Sequence, residues 1–114
     1  ILHDVADDGS MTNRRVLASL PDDWVPDGLA VDEDGCVWVA VYGGSCALRY
    51  TPDGQVDLRV EVPAKAVTSL CFGGPDRRDL YIVTADNTDD PERKGTIFHT
   101  RVDVPGLAVT SASI

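Results

Sequence analysis

The stretch of sequence that decides the fold covers residues 26–44 and reads PDGLAVDEDGCVWVAVYGG. Asp34-Gly35 in its middle is a strong signal for a tight hairpin turn. Two apolar runs flank that turn, Leu29 to Val31 and Val37 to Tyr42, and both are rich in β-favouring residues. The second run carries no charge, so both of its faces are apolar. We therefore predict two antiparallel strands, the second of them inside a stack of sheets.

Similar segments recur along the chain at a regular interval. Residues 29–31 match residues 70–72 at an offset of 41, and residues 38–41 match residues 81–84 at an offset of 43. A period in the forties with about four short strands in each unit is typical of the blades of a β-propeller.

The repeat predicts an all-β fold, one incomplete β-propeller domain of about two and a half blades over residues 1–114. Residues 1–20 form the end of one blade, residues 27–62 a complete blade and residues 67–103 most of the next. The predicted strands of the complete blade are 28–32, 36–42, 46–51 and 56–62, and those of the next are 68–72, 80–85 and 95–102.

Composition narrows the class of partner. The net charge of -9 and the sequence pI of about 4.4 argue against nucleic acid and anionic membranes, which need a basic surface. No apolar run approaches the roughly 20 residues of a membrane helix. A cation is the partner that the charge favours.

The three cysteines are Cys36, Cys46 and Cys71, an odd number without a C-x-x-C pair, so a zinc or redox motif is not indicated. Cys36 and Cys46 begin successive strands of one hairpin and lie too far apart for a disulfide. We therefore expect three reduced, buried thiols in a cytoplasmic protein, and the N-terminal residues show no secretory signal.

Asp27 is the leading candidate for a functional residue. The other Asp-Gly pairs begin at Asp8, Asp34 and Asp53 and join two strands, where Asp before Gly is ordinary turn chemistry. Asp27 instead follows a linking loop and precedes the innermost strand of a blade, so its side chain is predicted to face the propeller axis. We predict that Asp27 is a metal ligand or catalytic residue; the alternative is a turn residue.

Thr68 holds the position equivalent to Asp27 one blade further on, and we predict that it lines the same axis as a substrate-binding residue. Its alternative is a hydroxyl of the tunnel wall. Asp86 and Asn87 would offer oxygen ligands only if their loop reached the axis. Trp24 is predicted to pack in the core. The residues that share one position of the third strand are predicted to be exposed: His3, Arg49 and His99.

The order of these segments resembles the C-terminal part of the gluconolactonase/regucalcin (senescence marker protein) family. The resemblance rests on five segments in series: residues 26–32, 37–44, 49–54, 71–74 and 80–85.

This resemblance implies a six-bladed propeller that binds a divalent cation, usually calcium, with zinc or magnesium as alternatives, and that hydrolyses sugar lactones. In the family a Glu, an Asn and the Asp of the Pro-Asp-Gly segment hold the cation, and only that Asp is present here, as Asp27. The cation would polarise the lactone carbonyl, with Asp27 as metal ligand and base. The 114-residue chain alone is expected to be inactive, because one ligand cannot make a calcium site. It is also expected to self-associate, because its outer blade faces are uncovered. The alternative is a non-catalytic propeller fragment or binding module.

Overall fold

The protein is described by a computed structural model, which covers residues 1–85, 92 and 95–110. These residues form nine antiparallel strands in three successive sheets, in agreement with the all-β prediction. The first sheet is β1 (Leu2–Val5) and β2 (Met11–Arg15). The strands of the second sheet are β3 (Val25–Val31), β4 (Val37–Tyr42), β5 (Cys46–Tyr50) and β6 (Val56–Glu61). Those of the third are β7 (Val67–Gly73), β8 (Asp79–Thr84) and β9 (Ile97–Arg101).

The predicted ends of the strands in the second and third sheets agree with the observed ends to within about three residues. The largest difference is at β3, which begins at Val25 because Val25 already pairs with Tyr42 of β4. The three hairpin Asp-Gly turns are confirmed, since Gly9, Gly35 and Gly54 all have positive φ, between 75° and 83°. Within the described residues no helix is long and apolar enough to cross a bilayer.

The two central strands of the second sheet, β4 and β5, are buried on both faces, as the apolar run in β4 predicts. One face packs on the third sheet, and its buried residues form a single cluster: Trp38, Ala40, Ala47, Val62, Ala64, Val67, Leu70, Leu80 and Ile82. The other face is covered by the chain that precedes β3, through Leu17, Ala18, Leu20 and Trp24. The predicted packing role of Trp24 is thereby confirmed.

One carboxylate is fully buried within this packing. Asp32, at 0% exposure, accepts hydrogen bonds from Trp38 Nε1 at 2.8 Å and from Arg49 Nε at 2.7 Å. The backbone N–H groups of Asp34 and Cys36 also donate to it, both at 3.1 Å. Burial alone would raise the pKa of Asp32, but the hydrogen bonds from Arg49, Trp38 and Cys36 outweigh burial and lower this pKa.

The prediction that Arg49 is exposed is wrong. Arg49 is only 9% exposed, because β4–β5 pairing sets it beside Trp38, where its guanidinium reaches Asp32. Its remaining donors bind the carboxylates of Asp34 and Asp57. His3 and His99 are exposed as predicted.

A segment after β9 ties the second sheet to the third. Leu107 N–H donates to the carbonyl of Val31, and Gly106 N–H donates to the carbonyl of Arg77. Gly106 lies directly on the Phe72 ring, where a Cβ would be 2.2 Å from the nearest ring atom. Only glycine therefore fits at this crossing.

Several large apolar side chains stay exposed on the first sheet and on β3, β9 and the C-terminal segment. The most exposed within strands are Val5, Met11, Leu29 and Ile97. These surfaces agree with the expectation that blade faces need a neighbour, but self-association itself stays a prediction.

The three cysteines are free thiols, with Cys36 and Cys46 buried and Cys71 exposed. The expectation of burial is wrong for Cys71 because it pairs with Tyr81 on the face of β7 and β8 that points away from the second sheet.

We predict that a thiol-alkylating reagent modifies Cys71 first in the native protein, since burial raises the pKa of the Cys36 and Cys46 thiols. Mass spectrometry of partially labelled protein checks this order. Equal labelling of all three cysteines, or a Cys36–Cys46 crosslink, would contradict it.

Replacement of the buried carboxylate should be costly. We predict that Asp32→Asn lowers the free energy of unfolding by about 3–5 kcal/mol, because it removes one partner of a buried ion pair. Asp4→Asn is the matched control, since the Asp4–Arg15 pair is exposed. Urea unfolding measures both variants. Equal stability of Asp32→Asn and wild type would show that Arg49 does not depend on Asp32.

The same pair predicts a pH dependence. Since the pKa of Asp32 is lower in the folded state than in the unfolded state, its contribution is complete above the unfolded value of about 3.9. It is lost as pH falls through the lower folded value. The stability difference between wild type and Asp32→Asn should therefore shrink below about pH 4; a constant difference down to pH 2 would contradict it.

Candidate functional site

Asp27 lies in a β-bulge of β3. Pro26 pairs with Val41 and Leu29 pairs with Val39, so Asp27 and Gly28 together oppose the single residue Ala40. A bulge bends its strand and redirects a side chain, and bulges are common beside active sites. Asp27 is therefore in a strand and not in a hairpin turn, in contrast to the other three Asp-Gly pairs.

Thr68 lies in an equivalent bulge of β7. Val67 pairs with Thr84 and Ser69 pairs with Val83, which leaves Thr68 as the extra residue. The Thr68 hydroxyl donates a hydrogen bond to the carbonyl of Val83 at 3.1 Å. The sequence offset of 41 thus corresponds to the same structural position in two successive sheets.

The two bulges are joined by a close contact. A Cβ on Gly28 would lie 2.6 Å from Ser69 Oγ and 2.7 Å from Ser69 Cα. The backbone of Gly28 has no positive φ, so glycine is needed here for space and not for its conformation. Asp27 directly precedes Gly28, and Thr68 directly precedes Ser69. The two predicted site residues therefore lie next to the point where β3 and β7 touch.

The surroundings of Asp27 leave its carboxylate available. The residue is exposed, and within residues 1–85, 92 and 95–110 no hydrogen bond or ion pair reaches its side chain. Asp86 and Asn87, the other predicted oxygen donors, lie outside the described residues.

The chain does not form a complete cation site from its described residues. No group of three or more His, Cys, Asp or Glu side chains among them could hold a metal ion. Calcium takes 6–8 oxygen ligands. Asp27 therefore fits the part of one carboxylate ligand in a site that needs several more oxygen ligands.

A cleft lies between the second and third sheets. This cleft has a volume of about 200 Å³ and is lined by Trp38, Arg49, Asp57, Leu58, Val102, Asp103 and Val104. Neither Asp27 nor Thr68 lines it, and the Arg49 guanidinium is already bound to three carboxylates. The cleft is therefore separate from Asp27 and Thr68, and its one lining arginine is not available to bind an anionic ligand.

Sequence reasoning missed the residues that support the site. An Asp-Gly pair indicates a turn, whereas Gly28 lies in a strand and packs closely on Ser69. The available signal was that the two small residues Gly28 and Ser69 share one position of the repeat, at the same offset of 41 as Asp27 and Thr68.

Comparison with known proteins gives consistent results. Residues 2–86 match the family described as the SMP-30/Gluconolactonase/LRE-like region. The chain is 37% identical to regucalcin of Xenopus laevis over 112 residues, which is 90% of this chain and 38% of that protein. It is 43% identical to 6-deoxy-6-sulfogluconolactonase of Pseudomonas putida over 89 residues, 73% of this chain and 31% of that protein.

A solved structure supports the same likeness. The crystal structure of a calcium-binding protein, regucalcin, from Agrobacterium tumefaciens superimposes with a TM-score of 0.76 at 30% identity, covering 87% of this chain and 36% of that one. The fold is thus part of a β-propeller, as the repeat predicted, and the six-bladed form is the one that the resemblance implied. The chain spans less than two fifths of the length of each of these three proteins.

Proposed function

This chain belongs to the SMP-30/gluconolactonase/LRE-like family, and on that premise we propose that it forms the C-terminal part of a metal-dependent sugar-lactone hydrolase. The observation that carries the proposal is the exposed carboxylate of Asp27, which has no partner among the described residues and is set in a bulge of β3, an edge strand of its sheet. The name of the Pseudomonas putida relative, a sulfogluconolactonase, supports the class of substrate.

Hydrolysis of a sugar lactone needs a water molecule to attack the carbonyl carbon while the ring C–O bond opens to give a hydroxy acid. Asp27 would accept a proton from that water as a general base, because a free carboxylate near the reacting carbonyl can orient and deprotonate it. Thr68 would contact the sugar through its hydroxyl oxygen. The O–H group donates a hydrogen bond to the Val83 carbonyl, and the lone pairs of the oxygen stay available as acceptors.

A divalent cation, calcium with zinc or magnesium as alternatives, would be held by Asp27 together with further oxygen ligands, and when bound it would polarise the lactone carbonyl. The calcium-binding regucalcin of Agrobacterium tumefaciens supports this choice of cation. The net charge of -9 also favours a cation over nucleic acid or an anionic membrane. Free thiols support a reducing, cytoplasmic location.

The second candidate is a non-catalytic propeller module that binds a cation or a partner without turnover. The incomplete ligand set of the described residues favours it for the 114-residue chain in isolation. The two functions differ in whether Asp27 supports lactone hydrolysis in the complete protein.

We predict that Asp27→Asn in the complete protein lowers kcat/KM for lactone hydrolysis by about 10²–10⁴-fold, the range expected for loss of a general base. It should also weaken calcium binding, because the substitution removes a charged ligand but keeps the shape. Turnover is measured with a pH-stat and calcium affinity by titration calorimetry.

Asp53→Asn is the matched control, since Asn-Gly serves the hairpin at Gly54 as well as Asp-Gly does. It should retain wild-type turnover and affinity. Near wild-type behaviour of Asp27→Asn in both assays would exclude Asp27 from the site. Calcium binding that depends on Asp27 without any lactone turnover by wild type would favour the binding module.

A further inference from the structure

The direction of the Asp27 side chain is not fixed by any bond of its own within the described residues. Its carboxylate has no hydrogen bond or ion pair there. What the fold sets is the direction of the Cα–Cβ bond, and this comes from the backbone of the bulge that carries Asp27. A bulge leaves its extra residue outside the ladder, so the ladder alone does not fix the bulged backbone either.

The only tight contact against this backbone that the described glycines reveal is made by Ser69. The Cβ position of Gly28 lies 2.6 Å from Ser69 Oγ, 2.7 Å from Ser69 Cα and 3.0 Å from Ser69 Cβ. Real Cβ atoms do not approach other atoms this closely, so any side chain at position 28 would have to move one bulge away from the other. Because Ser69 Cα is among the contacted atoms, a change of rotamer cannot relieve the collision.

The partner bulge is held firmly on its own side. The Thr68 hydroxyl donates a hydrogen bond to the carbonyl of Val83. Val67 and Leu70, on either side of this bulge, are buried in the core between the second and third sheets. Ser69 is therefore a fixed support, and Gly28 is the residue that adapts to it.

We propose that Gly28 and Ser69 are positioning residues, a steric support that sets the direction of the Asp27 carboxylate. This inference rests on the proposed function, because it assigns these residues a part in the same site. The support is one of shape: it requires no side chain at position 28 and a small side chain at position 69, and it does not need the Ser69 hydroxyl.

The test compares four variants of the complete protein. Gly28→Ala pushes β3 away from Ser69, and Ser69→Val pushes from the opposite side, so either variant can serve if the other fails to fold. Ser69→Ala removes the hydroxyl oxygen at 2.6 Å but keeps the contacts of Cα and Cβ, at 2.7 and 3.0 Å, so it separates the hydroxyl from the rest of the support. Gly73→Ala is the matched control on β7, since its φ is also not positive and its Cβ would meet only the movable ring edge of Tyr81, at 3.0 Å.

Crystal structures and steady-state kinetics are measured for each variant. We expect the Asp27 carboxylate to shift by about 1 Å or more in Gly28→Ala and Ser69→Val, with a loss in kcat of about 10–10²-fold and little change in KM. Ser69→Ala and Gly73→Ala should keep both the wild-type carboxylate position and the wild-type kcat.

Two results would overturn the proposal. One is an unmoved Asp27 carboxylate in Gly28→Ala or Ser69→Val, and the other is a loss of kcat in Gly73→Ala equal to that in Gly28→Ala. A wild-type protein that hydrolyses no sugar lactone would instead reject the proposed function, and the carboxylate positions in the crystal structures would still decide between a positioning role and none.

Discussion

The buried carboxylate of Asp32 is the interaction on which the rest of the structure depends. It follows directly after β3 and binds Trp38 of β4, Arg49 of β5 and two backbone N–H groups of the β3–β4 turn. Burying a charge is costly, and here charge-assisted hydrogen bonds offset that cost. A buried ion pair adds little net stability compared with apolar packing, but loss of one partner is severe. Asp32 therefore fixes which way three strands meet.

Trp38 transmits this arrangement to the neighbouring sheet. Its indole N–H is held by Asp32 while its ring packs edge-on against Phe72 of β7, with ring centroids 5.9 Å apart. The same packing brings β3 against β7, where Gly28 meets Ser69. The position of Asp27 thus follows from the core of two sheets, which is a rigid basis for a side chain that has no bonds of its own among the described residues.

The sequence predicted the architecture because its signals are local and repeated. Asp-Gly turns, apolar runs and an offset of 41–43 residues determine the strands and their order without any long-range information. Arg49 shows where this reasoning fails: at its position the residue type varies between repeats, which suggested exposure, yet a buried Asp32 makes a charged residue necessary there. The ion pair between Asp32 and Arg49 joins residues 17 positions apart, and the alternation along one strand does not reveal such a contact. The bulge at Asp27 and the contact at Gly28 were missed for the same reason, since both depend on what a second strand does.

We propose that Asp27, unlike the other aspartates that precede glycine, is the residue of this chain that binds the cation. The most direct measurement is a crystal structure of the complete protein with calcium, in which anomalous scattering identifies the ion. We predict a calcium ion about 2.3–2.6 Å from an Asp27 carboxylate oxygen, with none at Asp8, Asp34 or Asp53. A calcium ion bound elsewhere, with the Asp27 carboxylate in solvent, would contradict the claim.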